Sequence, residues 1–202
     1  MNRFPASGRR DALATRRVSQ DMVPTRPHLR TAGVVLLGGS TWVELRATDG
    51  SSLMHLVNLP IHEAGHLVLA LFGDTMSILG GSLLQVIVPL AFAAYFVHAK
   101  DAFAAGIAAW WFGQNIVEVS IYMADAYVMQ LPLLGGGTDG HDWNMLFDQW
   151  QVLEQTARYA GWTRGVGTLA MLLALTWCAL TSRVTPTVAS IEHAGEPTIV
   201  VE

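Results

Sequence analysis

The chain has 202 residues, of which 51% are hydrophobic and only 14% charged, and its mean hydropathy of +0.36 is higher than that of an ordinary soluble domain. The net charge is −4 and seven of the twelve basic residues precede Thr31, so the composition gives no sign of a nucleic-acid-binding surface. The single cysteine, Cys178, cannot form an internal disulfide, so the cysteine content supports neither a disulfide-rich secreted protein nor a thiolate metal site.

The first 30 residues are rich in arginine and have no periodic apolar spacing. They predict a basic, largely disordered tail. The apolar stretch AGVVLL that follows is too short to span a membrane and is not followed by a convincing signal-peptide cleavage site. Residues 33–47 fit either two short strands around Gly38 and Gly39 or a short segment at the membrane interface. We therefore assign residues 1–50 to an N-terminal tail and interfacial segment.

Four stretches are predicted to cross a membrane, since a spanning helix needs roughly 20 mostly apolar residues. Residues 76–97 contain no formally charged side chain, and residues 165–182 are bracketed by arginines. Residues 51–73 and 102–134 are long enough only if their polar side chains face protein or water. The expected fold class is all-α, a polytopic membrane helix bundle with about four transmembrane helices plus an interfacial helix.

The expected membrane domain covers residues 51–183 and is followed by a polar C-terminal tail at 184–202. The first and third predicted spans are separated by one crossing, so they run parallel and their C-terminal ends reach the same membrane face. The motif HEAGH lies in the later half of the first span, and LPLLGGGTDGHDW closes the third. The predicted topology therefore brings these two motifs together.

HEAGH is the strongest functional signal in the sequence. His62 and His66 are four residues apart, which on a helix places both imidazoles on one face and close enough to share a metal ion. Glu63 lies beside that face, where it can take a proton from a water on the metal and return it to a leaving amine. A carboxylate facing lipid near the bilayer centre would cost about 2.5 kcal/mol or more, which argues against an accidental match. The spacing predicts zinc hydrolysis, with a metal-free buried hydrogen-bond cluster as the alternative.

Catalytic zinc has three protein ligands and an open position, so one ligand remains to be found. The candidates are Asp139, His141 and Asp142, which follow a glycine run flexible enough to fold back toward the metal. Asp142 also precedes the amphipathic stretch WNMLFDQWQVL, the expected interfacial helix, so it fits a helix N-cap as well as a ligand. We favour His141 slightly over the aspartates, because it has no such structural role and imidazole suits zinc.

The third predicted span also carries a polar stripe with spacings of three and four residues, formed by Asn115, Glu118, Tyr122 and Asp125. Such a stripe must face protein or water. It could hydrogen-bond the metal ligands, line a water path to the site, or hold helices together. Gln85 in the second span fits close helix packing, and His55, one heptad before His62, could reach the same helix face.

HEAGH followed by an Asp-Gly pair resembles the intramembrane zinc metalloproteases of the site-2 protease type. These proteins place an HExxH helix in one span and an aspartate ligand in an Asp-Gly motif two spans later. The similarity covers about residues 51–143. It is specific at HEAGH and looser at TDG, where the family has Leu-Asp-Gly, and the family's Asn-x-x-Pro lead is missing. This resemblance implies Asp139 as the third ligand.

Four segments more closely resemble a group of small bacterial membrane proteins whose shared motif ends in His-Asp-Trp: HEAGH, GGSLLQ, YMADA and GHDW. This second resemblance implies His141 or Asp142 as the third ligand. It also implies a location in a bacterial inner membrane.

We therefore expect an integral-membrane zinc metalloprotease that hydrolyses peptide bonds in or near the bilayer. Glu63 is the expected general base, and the Zn²⁺ ligands are expected to be His62 and His66 with His141 or Asp142. The expected partners are membrane lipid and a membrane-protein or peptide substrate, with no nucleic acid and no specified oligomeric state. The alternative function is non-catalytic metal binding or metal transport, with Glu118 and Asp125 as a polar track.

Overall fold

The computed structural model describes residues 27–49, 52–134 and 140–183, and every regular element in these ranges is helical. The α-helices in chain order are α1 (Pro27–Arg46), α2 (His55–Leu69), α3 (Asp74–His98), α4 (Ala102–Asp125), α5 (Asp142–Gln149) and α6 (Thr156–Thr181). Two short 3₁₀ turns, Ala70–Phe72 and Leu153–Gln155, precede α3 and α6. The all-α prediction is confirmed. The basic tail was predicted over the first 30 residues, but residues 27–30 belong to α1. Residues 1–26, the C-terminal tail predicted at 184–202 and the candidate ligand Asp139 lie outside the described residues.

Two of the described helical segments are long and apolar enough to cross a membrane, Asp74–His98 and Leu153–Thr181. They correspond to the predicted spans at 76–97 and 165–182. The other two predicted spans do not meet the same criterion. Helix α2 has only 15 residues, and the apolar sequence of α4 is interrupted by buried polar side chains. The structure therefore has two candidate spans, fewer than the four that we expected.

The segment that precedes these helices is helical and not a pair of strands. All of the segment 33–47 except Ala47 is helical and forms most of α1. Arg164 on α6 donates hydrogen bonds to the backbone carbonyls of Leu45 and Ala47 at 2.7 and 3.3 Å, so an arginine caps the C-terminal end of α1. Trp110 on α4 donates to the Thr41 hydroxyl at 2.7 Å. Helix α1 therefore packs onto the helices that follow it.

Local signals set the helix boundaries near the site. Gly73 has a φ of 100°, in the left-handed region that favours glycine, and it separates the 3₁₀ turn from α3. The carboxylate of Asp101 accepts the backbone N–H of Ala104 at 3.0 Å and caps α4. The chain can therefore turn sharply twice, so that α2, α3 and α4 follow one another as packed neighbours.

Helix α4 lies at the centre of the bundle. One part of its buried surface packs against α6, where Val117 contacts the cluster that contains Met171 and Ala174. A second part packs against α5 through a cluster that contains Val119 and Phe147. Large apolar side chains on α3 and α6 point outward, among them Leu90, Phe92, Leu169, Leu173 and Trp177. An apolar outer surface around a partly polar interior is the arrangement expected of helices in a bilayer.

Helices α2 and α3 meet through glycines, and this contact positions HEAGH. A Cβ on Gly65 would lie 2.1 Å from the Gly80 carbonyl oxygen, and a Cβ on Gly80 would lie 2.4 Å from the Gly65 carbonyl oxygen. A Cβ on Gly81 would lie 2.5 Å from Nε2 of His62. Backbone atoms cannot move aside as a flexible side chain can, so this close approach requires glycine at the contact.

We expect Gly65→Ala to lower the free energy of unfolding by about 1–3 kcal/mol, the range for overpacking a well-packed interior. The added methyl group would collide with the backbone of α3 and push the two helices apart. Gly165→Ala is the matched control, because a Cβ there meets no atom within 4 Å. Thermal unfolding of both variants in detergent measures the difference. Equal Tm values for the two variants would contradict the close contact between α2 and α3.

Candidate metal centre

Helix α2 presents the two histidines of HEAGH to the interior of the protein. The ring centroids of His62 and His66 are 4.9 Å apart, and His62 is buried while His66 is partly buried. Glu63 is exposed beside them. One potential ligand atom from each of these three residues lies within 4.8 Å of the others. The motif therefore offers several donor atoms to one point in space.

Asp142 at the start of α5 reaches the same point. Its Oδ2 atom lies 2.9 Å from Nε2 of His62 and 3.3 Å from Nε2 of His66. Two ligand atoms that each lie about 2.0–2.1 Å from a tetrahedral zinc ion are roughly 3.3 Å apart. The observed separations are close to this value. His62, His66 and Asp142 thus form a His-His-Asp cluster with the spacing of a metal ligand set.

The other ring nitrogens of both histidines are engaged by acceptors. Nδ1 of His66 lies 2.8 Å from the Ser77 carbonyl oxygen, and Nδ1 of His62 lies 3.0 Å from Oε1 of Gln85. A carbonyl oxygen can only accept, so Nδ1 carries the hydrogen and Nε2 of a neutral ring presents its lone pair to Asp142. Lone pairs and a carboxylate this close repel one another. A metal ion among these atoms, or additional protons on them, would remove this repulsion.

Partners of this kind fix the orientation of metal-binding imidazoles. We expect Gln85→Leu to weaken zinc binding by about 10- to 100-fold, because His62 loses the acceptor for its Nδ1–H. Gln149→Leu is the matched control, since Gln149 is exposed on α5 and bonds to Thr75. Competition with a chromophoric zinc chelator measures both affinities. Equal zinc affinity in the Gln85 variant and the wild type would show that Gln85 fills space between the helices and does not orient His62 for zinc binding.

The carboxylate of Asp142 is stabilised in its charged form. Burial favours the neutral acid, but the two imidazoles beside it, His62 and His66, favour the carboxylate more strongly. The net effect lowers the pKa of Asp142. Asp142 is therefore ionised at neutral pH, as a carboxylate ligand must be.

His141 lies outside the cluster, contrary to our preference for it as the third ligand. Its Nδ1 accepts the backbone N–H of Asn144 at 3.2 Å, so His141 is the N-cap of α5. Its Nε2 lies 3.3 Å from Oδ2 of Asp125. Burial lowers the pKa of His141, which keeps the ring neutral with one acceptor and one donor nitrogen. Because α5 begins at Asp142, the N-cap is His141 and not Asp142.

Two residues of the polar stripe on α4 hold the start of α5. Asp125 faces His141 and also accepts the backbone N–H groups of Gln130 and Leu131 at 2.8 and 2.9 Å. Tyr122 accepts the backbone N–H of Asp142 through its hydroxyl oxygen at 3.0 Å. The stripe therefore supports the residue that completes the His-His-Asp cluster.

Glu118 belongs to a separate buried polar network. Its carboxylate lies 2.6 Å from Nδ1 of His55 and accepts hydrogen bonds from the amides of Asn58 and Gln114. The Gln114 amide also donates to Glu44 on α1 at 3.2 Å. The sequence did not indicate Glu44, Asn58 or Gln114, because their partners lie on other helices. Asn115, the remaining stripe residue, donates to the carbonyl of Trp111 at 2.9 Å.

A cavity of about 600 Å³ opens beside the His-His-Asp cluster. Glu63 and Tyr122 line it together with the three cluster residues. Its apolar wall includes Leu59, Ile78, Val119, Leu131, Leu133 and Leu134. This volume lies within the range of pockets that bind small molecules or short peptide segments. An apolar chain could therefore reach the cluster while Glu63 stays beside it.

No protein-family model matches this chain, and no curated protein or solved structure is significantly similar to it. Functional inference therefore depends on the geometry of the His-His-Asp cluster and its cavity.

Proposed function

We propose that this protein is an integral-membrane zinc metallopeptidase that hydrolyses peptide bonds in or near the bilayer. The observation that carries the proposal is the convergence of Nε2 of His62, Nε2 of His66 and Oδ2 of Asp142 beside Glu63 in one cavity. Two imidazoles and one carboxylate are a ligand set used by catalytic zinc, which also needs an open position. The adjoining cavity supplies space for that position.

Each residue has a chemical role in this proposal. A bound zinc ion would polarise the scissile carbonyl and lower the pKa of a water molecule. The cluster residues would hold the ion, and Gln85 and Ser77 orient the imidazoles so that their Nε2 lone pairs face it. Glu63 is exposed to the cavity and can accept a proton from the attacking water. The same carboxyl group can then deliver that proton to the leaving amine.

The proposal places α2 and α4 in the bilayer as well, which gives four spans. Leu56 and Leu67 of α2 are 68% and 79% exposed, whereas His62 on the opposite face is buried. In α4 the polar groups Gln114 and Glu118 are buried against other helices. Polar groups at membrane depth are tolerated where they face protein, so these helices can lie in lipid despite their composition. A bacterial inner membrane is the location implied by the resemblance of the motifs.

The first test is zinc-dependent cleavage by the full-length protein in detergent. A mixture of quenched-fluorescence peptides with leucine-rich sequences suits the apolar cavity wall. We expect cleavage that is lost after treatment with 1,10-phenanthroline and restored by one equivalent of Zn²⁺. Cleavage that is insensitive to the chelator, or no cleavage by the zinc-loaded protein, would contradict the proposal.

Metal transport has weaker support, because the groups expected to form a polar track are engaged. Glu118 is occupied by His55, Asn58 and Gln114, and Asp125 by backbone N–H groups. We expect liposomes that contain the protein to show no zinc flux above that of empty liposomes. Flux that persists in Glu63→Gln liposomes would favour transport over hydrolysis.

A further inference from the structure

Tyr122 occupies a fixed position on the cavity wall next to the His-His-Asp cluster. Its ring meets the ring of His62 edge-on with centroids 5.9 Å apart, and packs against the ring of His141 at 4.4 Å. The residue lines the same cavity as Glu63. Contacts with imidazoles on two sides limit the rotation of the phenol ring. The hydroxyl group is therefore held close to the cluster.

The hydroxyl group of Tyr122 retains an unused donor. Its oxygen accepts the backbone N–H of Asp142 at 3.0 Å, and a phenol that accepts still has its own O–H to donate. In the described part of the chain, the Tyr122 hydroxyl donates no hydrogen bond. A neutral O–H donor beside a metal ligand set can stabilise negative charge that develops in the cavity.

We infer that Tyr122 donates a hydrogen bond to the oxyanion of the scissile carbonyl during peptide hydrolysis. The inference rests on the proposed function. Water oxygen forms a bond to the carbonyl carbon, its proton passes to Glu63, and the electron pair of the C=O bond moves to the carbonyl oxygen. Tyr122 stabilises this oxygen without giving up its proton. The C–N bond then breaks, the C=O bond reforms, and the proton from Glu63 goes to the amine nitrogen.

The alternative role for Tyr122 is purely structural, as the acceptor that supports Asp142. The two roles predict different results for Tyr122→Phe, which removes the hydroxyl group and keeps the ring contacts. A transition-state donor affects kcat while KM and zinc content stay constant. A support for Asp142 affects zinc content.

The experiment compares Tyr122→Phe with Tyr95→Phe in detergent, using zinc content, kcat and KM for the leucine-rich peptide mixture. Tyr95 is 62% exposed on α3 and its ring contacts Phe96, so it is a matched control. We expect Tyr122→Phe to lower kcat by roughly 10²- to 10³-fold, the usual effect of removing one oxyanion donor. KM and zinc content should change by less than about threefold, a difference too small to account for that loss.

A second readout does not require turnover. N-phosphoryl-Leu-Leu carries a tetrahedral anionic group that resembles the addition intermediate, and titration calorimetry measures its binding to the zinc-loaded protein. We expect Tyr122→Phe to weaken this binding by at least about 10-fold, since transition-state analogues depend on the interactions that stabilise the transition state. Tyr95→Phe should bind the compound as the wild type does.

The inference is overturned if Tyr122→Phe keeps the kcat and the phosphoryl-dipeptide affinity of the wild type. It is equally overturned if zinc content falls in parallel with kcat, because Tyr122 would then act only through Asp142. Failure of the proposed function has a different signature. In that case the wild type itself shows no zinc-dependent cleavage.

Discussion

Glu63→Gln should lower kcat for peptide cleavage by about 10²- to 10⁴-fold, the range for general acid–base catalysis. Glutamine has nearly the same size and shape, but its amide cannot accept a proton from the attacking water at neutral pH. The side chain is exposed to the cavity, and in the proposed site His62, His66 and Asp142 would hold the zinc ion without it. We therefore expect zinc content to stay near that of the wild type. Cleavage of leucine-rich peptides and elemental analysis on the same preparation measure both quantities.

Glu154→Gln is the matched control for this change. Glu154 is exposed in the 3₁₀ turn before α6 and is not among the residues that line the cavity. The control should keep full activity. Wild-type activity in Glu63→Gln would remove the proposed general base, and loss of zinc from that variant would make Glu63 a ligand instead.

Asp142→Ala should weaken zinc binding by more than about 100-fold, because loss of a ligand exceeds the 10- to 100-fold effect of losing a partner of a ligand. The change removes the oxygen that lies 2.9 and 3.3 Å from the two imidazole nitrogens. Asp148→Ala is the control, since Asp148 is exposed on the same helix. Competition with a chromophoric chelator gives the affinities. Tight zinc binding by Asp142→Ala would exclude Asp142 as a ligand.

His141→Asn separates His141 from Asp142, two of the three candidate ligands that the sequence left open. Asparagine is a good N-cap, so it can replace the Nδ1 acceptor that bonds to Asn144. We expect this variant to keep a zinc affinity within about threefold of the wild type, because the ring of His141 lies outside the His-His-Asp cluster. A threefold change in affinity is smaller than the roughly 10-fold effect of losing a residue that hydrogen-bonds a ligand. Loss of zinc from His141→Asn together with its retention by Asp142→Ala would restore the original preference for His141.

The pairing of HEAGH with the segment near residue 142 could be predicted from the sequence. The two histidines are one helical turn apart, and the topology brings the ends of the first and third predicted spans together. The contact between His62 and Asp142 confirms that the motifs meet. The choice among neighbouring candidates could not be predicted. A shift of one residue in the start of a helix turns each side chain by about 100°, which decides between a cap and a ligand.

The hydrogen bond between Gln85 and His62 could not be predicted from the sequence either. An amide in an apolar helix can pack against a glycine, hydrogen-bond another helix or hold a histidine, and only the path of α3 past His62 selects among these. The network around Glu118 was hidden for a similar reason. Its partner Gln114 contacts Glu44 on α1, and the sequence of α1 gave no helical pattern to place it. The roles of Gln85 and of the Glu118 network therefore depend on contacts between helices, which the sequence alone does not specify.

X-ray absorption at the zinc K edge, recorded on the purified full-length protein, tests the central claim most directly. We predict one zinc ion per chain, with four or five nitrogen and oxygen neighbours at about 2.0–2.2 Å and outer-shell scattering from two imidazoles. His62→Ala combined with His66→Ala should remove that signal. Absence of stoichiometric zinc, sulfur in the first coordination sphere, or an unchanged spectrum in the double variant would contradict the metal centre.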